Sequence, residues 1–368
     1  MFMKYKISDK INNKRGKQMD VIEQMIYNTN LLRKNESVFP KIIDIHPVLN
    51  SCNLRCKWCI GSSEQQSSLI HKLSFDMIHP VFHNIFQDSM KTYWPREIHF
   101  CGNNSEPLLN KEFIEQSVDF LQGKTLIKII TNGVLLDRYM ELIPQIDKIN
   151  VSLDVLSEQD FLLNKGGQIG DFNKILENIT KIKDIKDRLN INRPVIYISF
   201  VISDESFNYD MFKELSVVLR SYGVNHIQVR KDYFNETLDI EDVKNHVNCV
   251  AKELYAYSNE ILYDHEDRNT FDIKFNERAN RIQLKQIECK SFWFWPVIAA
   301  NQYIYPCAHK ANEQMNNLGL KISDFKDYYA CIEEKTRNHF SFLCDTPYLC
   351  PSNLNYINSQ FLEGINNV

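Results

Sequence analysis

A chain of 368 residues with 43% hydrophobic and 12% aromatic content holds enough apolar material for one large domain with a smaller companion, or two ordinary domains. A formal net charge of −4, with Lys and Arg dispersed among Asp and Glu, excludes the basic footprint of a nucleic-acid or anionic-membrane binder. No stretch approaches the roughly 20 apolar residues of a membrane helix, and the opening MFMKYKISDKINNKRGKQMD has no apolar run behind its basic residues, so a cytoplasmic protein is expected.

Residues 1–40 are polar and rich in Lys and Asn, and they read as an N-terminal extension with one helix candidate at 21–32. Short β-branched runs then alternate with helical periodicity. Strands are predicted at 41–46 (KIIDIH), 96–101 (REIHFC), 125–131 (TLIKIIT), 147–153 (DKINVSL), 194–202 (PVIYISFVI) and 224–230 (VNHIQVR). The clearest helix is 171–186, with Asp171 as N-cap and Phe172, Ile175, Leu176, Ile179 and Ile182 on one face. Strands alternating with helices imply parallel β/α units, closed either as a doubly wound sheet or as an incomplete (β/α) barrel. Near-continuous apolar runs at 127–130 and 195–202 suggest strands buried on both faces. In either architecture ligands gather at the carboxyl ends of the strands. The core is assigned to 41–240, a charged helical bridge to 241–288, and a cysteine-rich tail to 289–368.

Ten cysteines stand at 52, 56, 59, 101, 249, 289, 307, 331, 344 and 350. In a reducing compartment, clustered thiols bind metal or do chemistry more often than they form disulfides. Cys52, Cys56 and Cys59 crowd the segment NSCNLRCKWCI, just after the first predicted strand. A structural zinc site closes with four Cys or His ligands, usually as paired C-x-x-C elements. An iron–sulfur cluster fits a compact triplet better, because three thiolates hold three corners and leave one iron open.

The spacing C-x-x-x-C-x-x-C, with Trp58 before the last Cys, resembles the radical S-adenosylmethionine (SAM) superfamily. GNNSEPLLN at 102–110 is similar to that family's glycine-rich GGEP loop. TNGVLLD at 131–137, VSLDV at 151–155 and GVNHIQVR at 223–230 resemble its later strand ends, in the same order. The resemblance covers about 40–232. It implies a partial (β/α)6 TIM-like barrel in which Cys52, Cys56 and Cys59 ligate a [4Fe–4S] cluster and SAM chelates the open iron. Trp58 would lie beside the adenine and Glu106 would bind the methionine amino group. Ser152 and Asp154 would reach the ribose or neighbouring SAM atoms, with Gly102, Ser105 and Asn132 in the same binding loops. Lys165 stands where relatives often carry an Arg that pairs the SAM carboxylate. Asn103, Asn104 and Ser105 depart from the family's consecutive glycines, although Asn tolerates left-handed backbone.

The tail is similar to the half-size auxiliary-cluster module of the SPASM/twitch group, a hairpin and helix domain. That likeness implies a second [4Fe–4S] cluster on Cys289, Cys307, Cys344 and Cys350, with Cys331 or His309 as substitutes. Relatives usually place Gly five residues before the second of these cysteines, where this chain has Gln302. Trp293, Trp295 and Tyr303 are expected to pack that hairpin. Cys101 is a candidate hydrogen donor to a substrate radical, and Arg230, with Lys231, a candidate contact for an anionic substrate group. The implied activity is reductive cleavage of SAM to a 5′-deoxyadenosyl radical that takes hydrogen from a substrate, fed by a flavodoxin or ferredoxin. A small polar substrate (a sugar, aminoglycoside or nucleotide-linked sugar), oxidised or epimerised, is expected. The alternatives are peptide or protein modification, and a non-catalytic iron–sulfur or zinc module.

Overall fold

The computed structural model describes residues 39–59, 69–87, 94–203, 207–232, 238–256, 271–275, 287–289, 295–308, 311, 320–322 and 342–344. The helix expected at 21–32 lies outside them. In chain order come β1 (Ile42–His46), the antiparallel pair β2 (Val48–Leu49) and β3 (His71–Lys72), α1 (Phe75–Ile85), β4 (Glu97–Phe100), α2 (Lys111–Leu121) and β5 (Leu126–Thr131). Next are β6 (Lys148–Ser152), α3 (Glu158–Lys165), α4 (Asp171–Leu189), β7 (Val195–Ile202), α5 (Tyr209–Ser221), β8 (His226–Lys231), α6 (Ile240–Ala256) and β9 (Asp272–Phe275).

Local chemistry sets several of these boundaries. Ser157 caps α3 by accepting from the Asp160 backbone N–H, and Asn208 caps α5 by accepting from Asp210 and Met211. In α4, Gly170 takes the capping position and Asp171 sits in the first turn, one residue inside the expected boundary. Phe172, Ile175, Ile179 and Ile182 of α4 are buried, as their spacing predicts.

Parallel pairing runs β1–β4–β5–β6–β7–β8–β9, following chain order without reversal. A doubly wound sheet needs a reversal point. Its absence selects a partial, TIM-like barrel in which right-handed crossovers keep the helices on one side. All six strands expected from the sequence are present, each within two residues of its predicted ends. The segment expected as a helical bridge is helical over Ile240–Ala256, but Asp272–Phe275 adds a seventh parallel strand beside β8.

The two faces of this sheet differ. Ile43, Ile45, Ile98, Phe100, Ile127, Ile129, Ile149, Val151, Ile227 and Val229 are buried and form the core with the helices. Each such side chain contributes about 1.5–3 kcal/mol on burial. The alternate positions, Asp44, His46, Glu97, His99, Lys128, Lys148, Asn150, Tyr197, Ser199 and His226, make the inner face strongly polar. The run 127–130 is therefore half-polar: Lys128 turns inward while Ile127 and Ile129 pack outward.

β10 (Ile287–Cys289) pairs antiparallel with β14 (Phe342–Cys344) as a separate ribbon. β11 (Val297–Ala299) joins the main sheet parallel to β1, and β12 (Tyr303–Tyr305) and β13 (Leu320–Lys321) continue it antiparallel. The C-terminal hairpin thus extends the core sheet. Trp295 is held by the core as well: its indole Nε1 donates to Asp44 Oδ1 at 2.6 Å.

Candidate active site

The cysteine loop leaves the carboxyl end of β1 and is stitched to the ends of two other strands and one helix. The Glu106 N–H donates to Ser51 O at 3.0 Å, tying in the loop after β4. Asn132 Nδ2, after β5, donates to Asn53 Oδ1 at 2.8 Å and lies 3.8 Å from Cys52 Sγ. The Arg55 and Lys57 N–H groups donate to the carbonyls of Lys165 and Asn164 at 2.7 and 2.9 Å, strapping the loop to the end of α3. Gly166 permits that approach: it has φ +62°, and a Cβ there would stand 3.0 Å from Arg55 Cβ.

Cys52, Cys56 and Cys59 are all partly exposed. The Leu54 N–H points at Cys52 Sγ at 3.4 Å. Burial, offset by the Lys165 charge and reinforced by Asp154 and the other two cysteines, pushes the Cys56 thiol up to about 12. Burial likewise raises Cys52. Three thiols close enough to influence one another suit a polynuclear iron–sulfur centre, whose cationic irons deprotonate them.

Glu106 is 2% exposed. Its Oε1 accepts from Thr131 Oγ1 at 2.7 Å and Leu108 N at 3.1 Å, and its Oε2 from Asn132 N at 2.9 Å. Burial raises its pKa, and these hydrogen bonds with the Lys165 charge offset part of that rise. Gly102 opens the loop because a Cβ there would fall 2.3 Å from Ser105 Oγ. Asn104 adopts φ +55°, so Asn does supply the left-handed step in place of glycine.

Asp154 also has a left-handed backbone, φ +60°, and its N–H donates to Ser199 O at 2.9 Å. Lys165 is 1% exposed, and its ammonium donates to the carbonyls of Ser152 and Leu153 and to Asp154 Oδ2, the last at 3.3 Å. It therefore fixes the end of β6. Three buried polar atoms in these loops have no hydrogen-bond partner among the described residues: Trp58 Nε1, Ser105 Oγ and Asp154 Oδ1. Orphaned groups of that kind suit a polar ligand that would complete them. The donor set and these atoms fit an iron–sulfur cluster with SAM.

Beneath the loops, the inner face carries a charged network. Asp44 Oδ1 receives Trp295 and lies 3.1 Å from His99 Nδ1; His99 Nε2 lies 3.0 Å from Glu97 Oε2. Lys148 Nζ donates to Glu97 Oε1 at 2.8 Å. Burial opposes ionisation of Glu97, but His99 and Lys148 outweigh it and hold the carboxyl well below the usual carboxylate range. Cys101 is buried just after β4, and burial, with the Asp44 carboxylate beside it, pushes its thiol well up. Arg230 and Lys231 end β8.

Cys307, partly buried against the core, follows β12, and Asn103 Nδ2 reaches the neighbouring Ala308 carbonyl at 3.2 Å. Cys289 and Cys344 lie on the β10–β14 ribbon, where Cys289 pairs with Phe342 and Ile287 with Cys344. Cys331, Cys350, Trp293 and His309 lie outside the described residues. Cys249 is exposed on α6. Sequence reasoning gave no role to Asn53 and Thr131, which lie within NSCNLRCKWCI and TNGVLLD, or to Gly166, next to Lys165; their polar or glycine character was the available signal.

Residues 47–205 match the family model described as the radical SAM superfamily. A probable GTP 3′,8-cyclase of Methanosarcina acetivorans is 28% identical over 137 residues, 36% of this chain and 39% of that protein, so the match spans about two fifths of the relative. Among solved structures, Streptococcus suis SuiB bound to S-adenosylmethionine superposes with a TM-score of 0.58 at 13% identity, covering 84% of this chain and 70% of that one. The anSMEcpe structure with bound AdoMet gives 0.51 at 15% identity, covering 82% of each. With the motif order, the strand order and the family match in agreement, residues 47–205 constitute a radical SAM superfamily domain.

Proposed function

We propose that the chain is a SAM-cleaving enzyme that takes hydrogen from a small polar substrate held on the inner face of the barrel. The convergence of Cys52, Cys56, Cys59, Glu106, Asn132 and Asp154 at one sheet edge carries this reading. When bound, the cluster and SAM supply reductive homolysis and hydrogen abstraction. The chain's own residues do the positioning. Cys52, Cys56 and Cys59 hold the cluster. Glu106, locked by three donors, presents a fixed negative site to the methionine amino group. Trp58, Ser105 and Asp154 offer their unpartnered polar atoms to the rest of SAM, with Gly102, Asn132 and Ser152 shaping the surrounding loops. Lys165 orders the Ser152–Asp154 turn from below.

The polar lining, with Lys128, Lys148, Glu97 and Asn150, favours a hydrophilic substrate such as a sugar, aminoglycoside or nucleotide-linked sugar. Arg230 would meet an anionic group, and Cys101 would return a hydrogen atom. A second iron–sulfur cluster on Cys289, Cys307, Cys344 and Cys350 would accept an electron and favour oxidation; without it, thiol return would favour epimerisation. A flavodoxin or ferredoxin would supply the reductant. Peptide modification is the second reading, favoured by the fold likeness to SuiB, solved bound to the precursor peptide SuiA.

Incubation with uniformly deuterated candidate sugars and aminoglycosides tests the substrate class: deuterium transfer into 5′-deoxyadenosine is expected. Transfer only from a deuterated peptide would replace this reading with the second. Iron near eight per chain after anaerobic reconstitution is expected for two [4Fe–4S] centres, and about four would remove the auxiliary one.

A further inference from the structure

Asp44 and His46 project from β1 and Cys101 follows β4, on the inner face below the cysteine loop. One ligand atom from each, a carboxylate oxygen, an imidazole nitrogen and the thiol sulfur, lies within 4.8 Å of the other two. All three residues are buried: Asp44 is 6% exposed, His46 0% and Cys101 6%. Both ring nitrogens of His46 are buried without a hydrogen-bond partner. An imidazole so placed costs free energy unless something accepts or donates there. No side chain among the described residues does so.

We propose that Asp44, His46 and Cys101 form a three-ligand site for a divalent zinc-class ion, separate from the cysteine loop, with a fourth position open. Ligand atoms around tetrahedral zinc stand about 3.3–3.8 Å apart at ordinary bond lengths. Side-chain rotation of well under a turn closes the triad from its present spacing. Mixed oxygen, nitrogen and sulfur donors select zinc, cobalt or ferrous iron over magnesium or calcium. A carboxylate and a thiolate balance a dication, so the loaded centre is itself neutral. Cys101 would give up its proton on binding, so the metal-loaded site and a hydrogen-donating Cys101 are alternative states of the same thiol.

The surroundings are those of a supported ligand. Trp295 Nε1 holds Asp44 Oδ1 at 2.6 Å, and His99, anchored by Glu97, approaches the same oxygen at 3.1 Å. Groups that orient a ligating carboxylate in this way tune affinity strongly. Three protein ligands and an open position are the pattern of a metal that binds an exogenous donor. Such an ion would take a hydroxyl, carboxylate or amine of a molecule bound on the inner face.

The site does not depend on the radical reading, and its test is read independently of SAM cleavage. Cluster-loaded protein is equilibrated with Zn2+, desalted, and analysed for zinc and iron, with X-ray absorption at the zinc edge. About one zinc per chain is expected, in a shell of one sulfur near 2.3 Å and the rest nitrogen or oxygen near 2.0 Å. His46→Ala and Cys101→Ser should each lose that zinc while iron content and circular dichroism stay unchanged. Trp295→Phe should weaken zinc binding by about 10–100-fold. A shell of three or four sulfurs would place zinc on other cysteines and overturn the site. So would no retained zinc, or zinc indifferent to His46→Ala. The wild-type spectrum decides even if a variant fails to fold.

Discussion

Glu106 shows how a single carboxylate is prepared for a task. Three donors, Thr131, Leu108 and Asn132, converge on its two oxygens in a buried setting. Replacing it with Gln puts an N–H2 group against a donor. Glu106→Gln is expected to cost about 1–3 kcal/mol of stability, read by denaturant titration, because a buried donor is left unsatisfied. SAM binding should weaken at the same time, and an unchanged SAM affinity would remove Glu106 from the site. Lys165 illustrates a different outcome: its charge is taken up by Ser152, Leu153 and Asp154 at the end of β6. A sequence can show that a Lys precedes a Gly-Gly pair, but which acceptors fold onto it is settled by packing.

Elements were legible where local pattern decides them. The six parallel strands announced themselves as β-branched runs, and α4 by its 3.6-residue periodicity. β9 did not, because DIKF has only four residues, alternates with charge, and exists through pairing with β8. The polar inner face was masked for a similar reason: one Lys within LIKIIT looked like an interruption of an apolar run, whereas it marks the alternation. The cysteine loop was legible because sulfur spacing is local chemistry; its straps to Glu106, Asn132 and Lys165 join distant segments and were not. At the β11–β12 turn, Gln302 adopts φ +68°, a left-handed conformation that favours Gly. Gln302→Gly should relieve a left-handed backbone cost and stabilise the chain by about 0.5–1 kcal/mol, measured as a raised denaturation midpoint. A lowered midpoint would mean the Gln side chain holds the turn.

At the scale of the molecule, the barrel separates an apolar outer face from a charged inner one, and the C-terminal hairpin completes the sheet beside β1. Glu97 ties this interior to pH. Its folded pKa is held below the unfolded value by His99 and Lys148, against the effect of burial. Its contribution to stability is therefore fully present above the unfolded value of about 4.3 and lost as pH falls through the folded one. The stability gap between wild type and Glu97→Gln should begin to shrink below about pH 4 and go on shrinking into strong acid; a constant gap down to strong acid would deny the coupling. The central claim, that three cysteines build a SAM-cleaving centre, is tested most directly by 5′-deoxyadenosine production in anaerobically reconstituted protein with dithionite. Wild type is expected to release it, and the triple variant Cys52→Ala, Cys56→Ala, Cys59→Ala to release none. Undiminished 5′-deoxyadenosine from the triple variant, or none from cluster-loaded wild type, would contradict it.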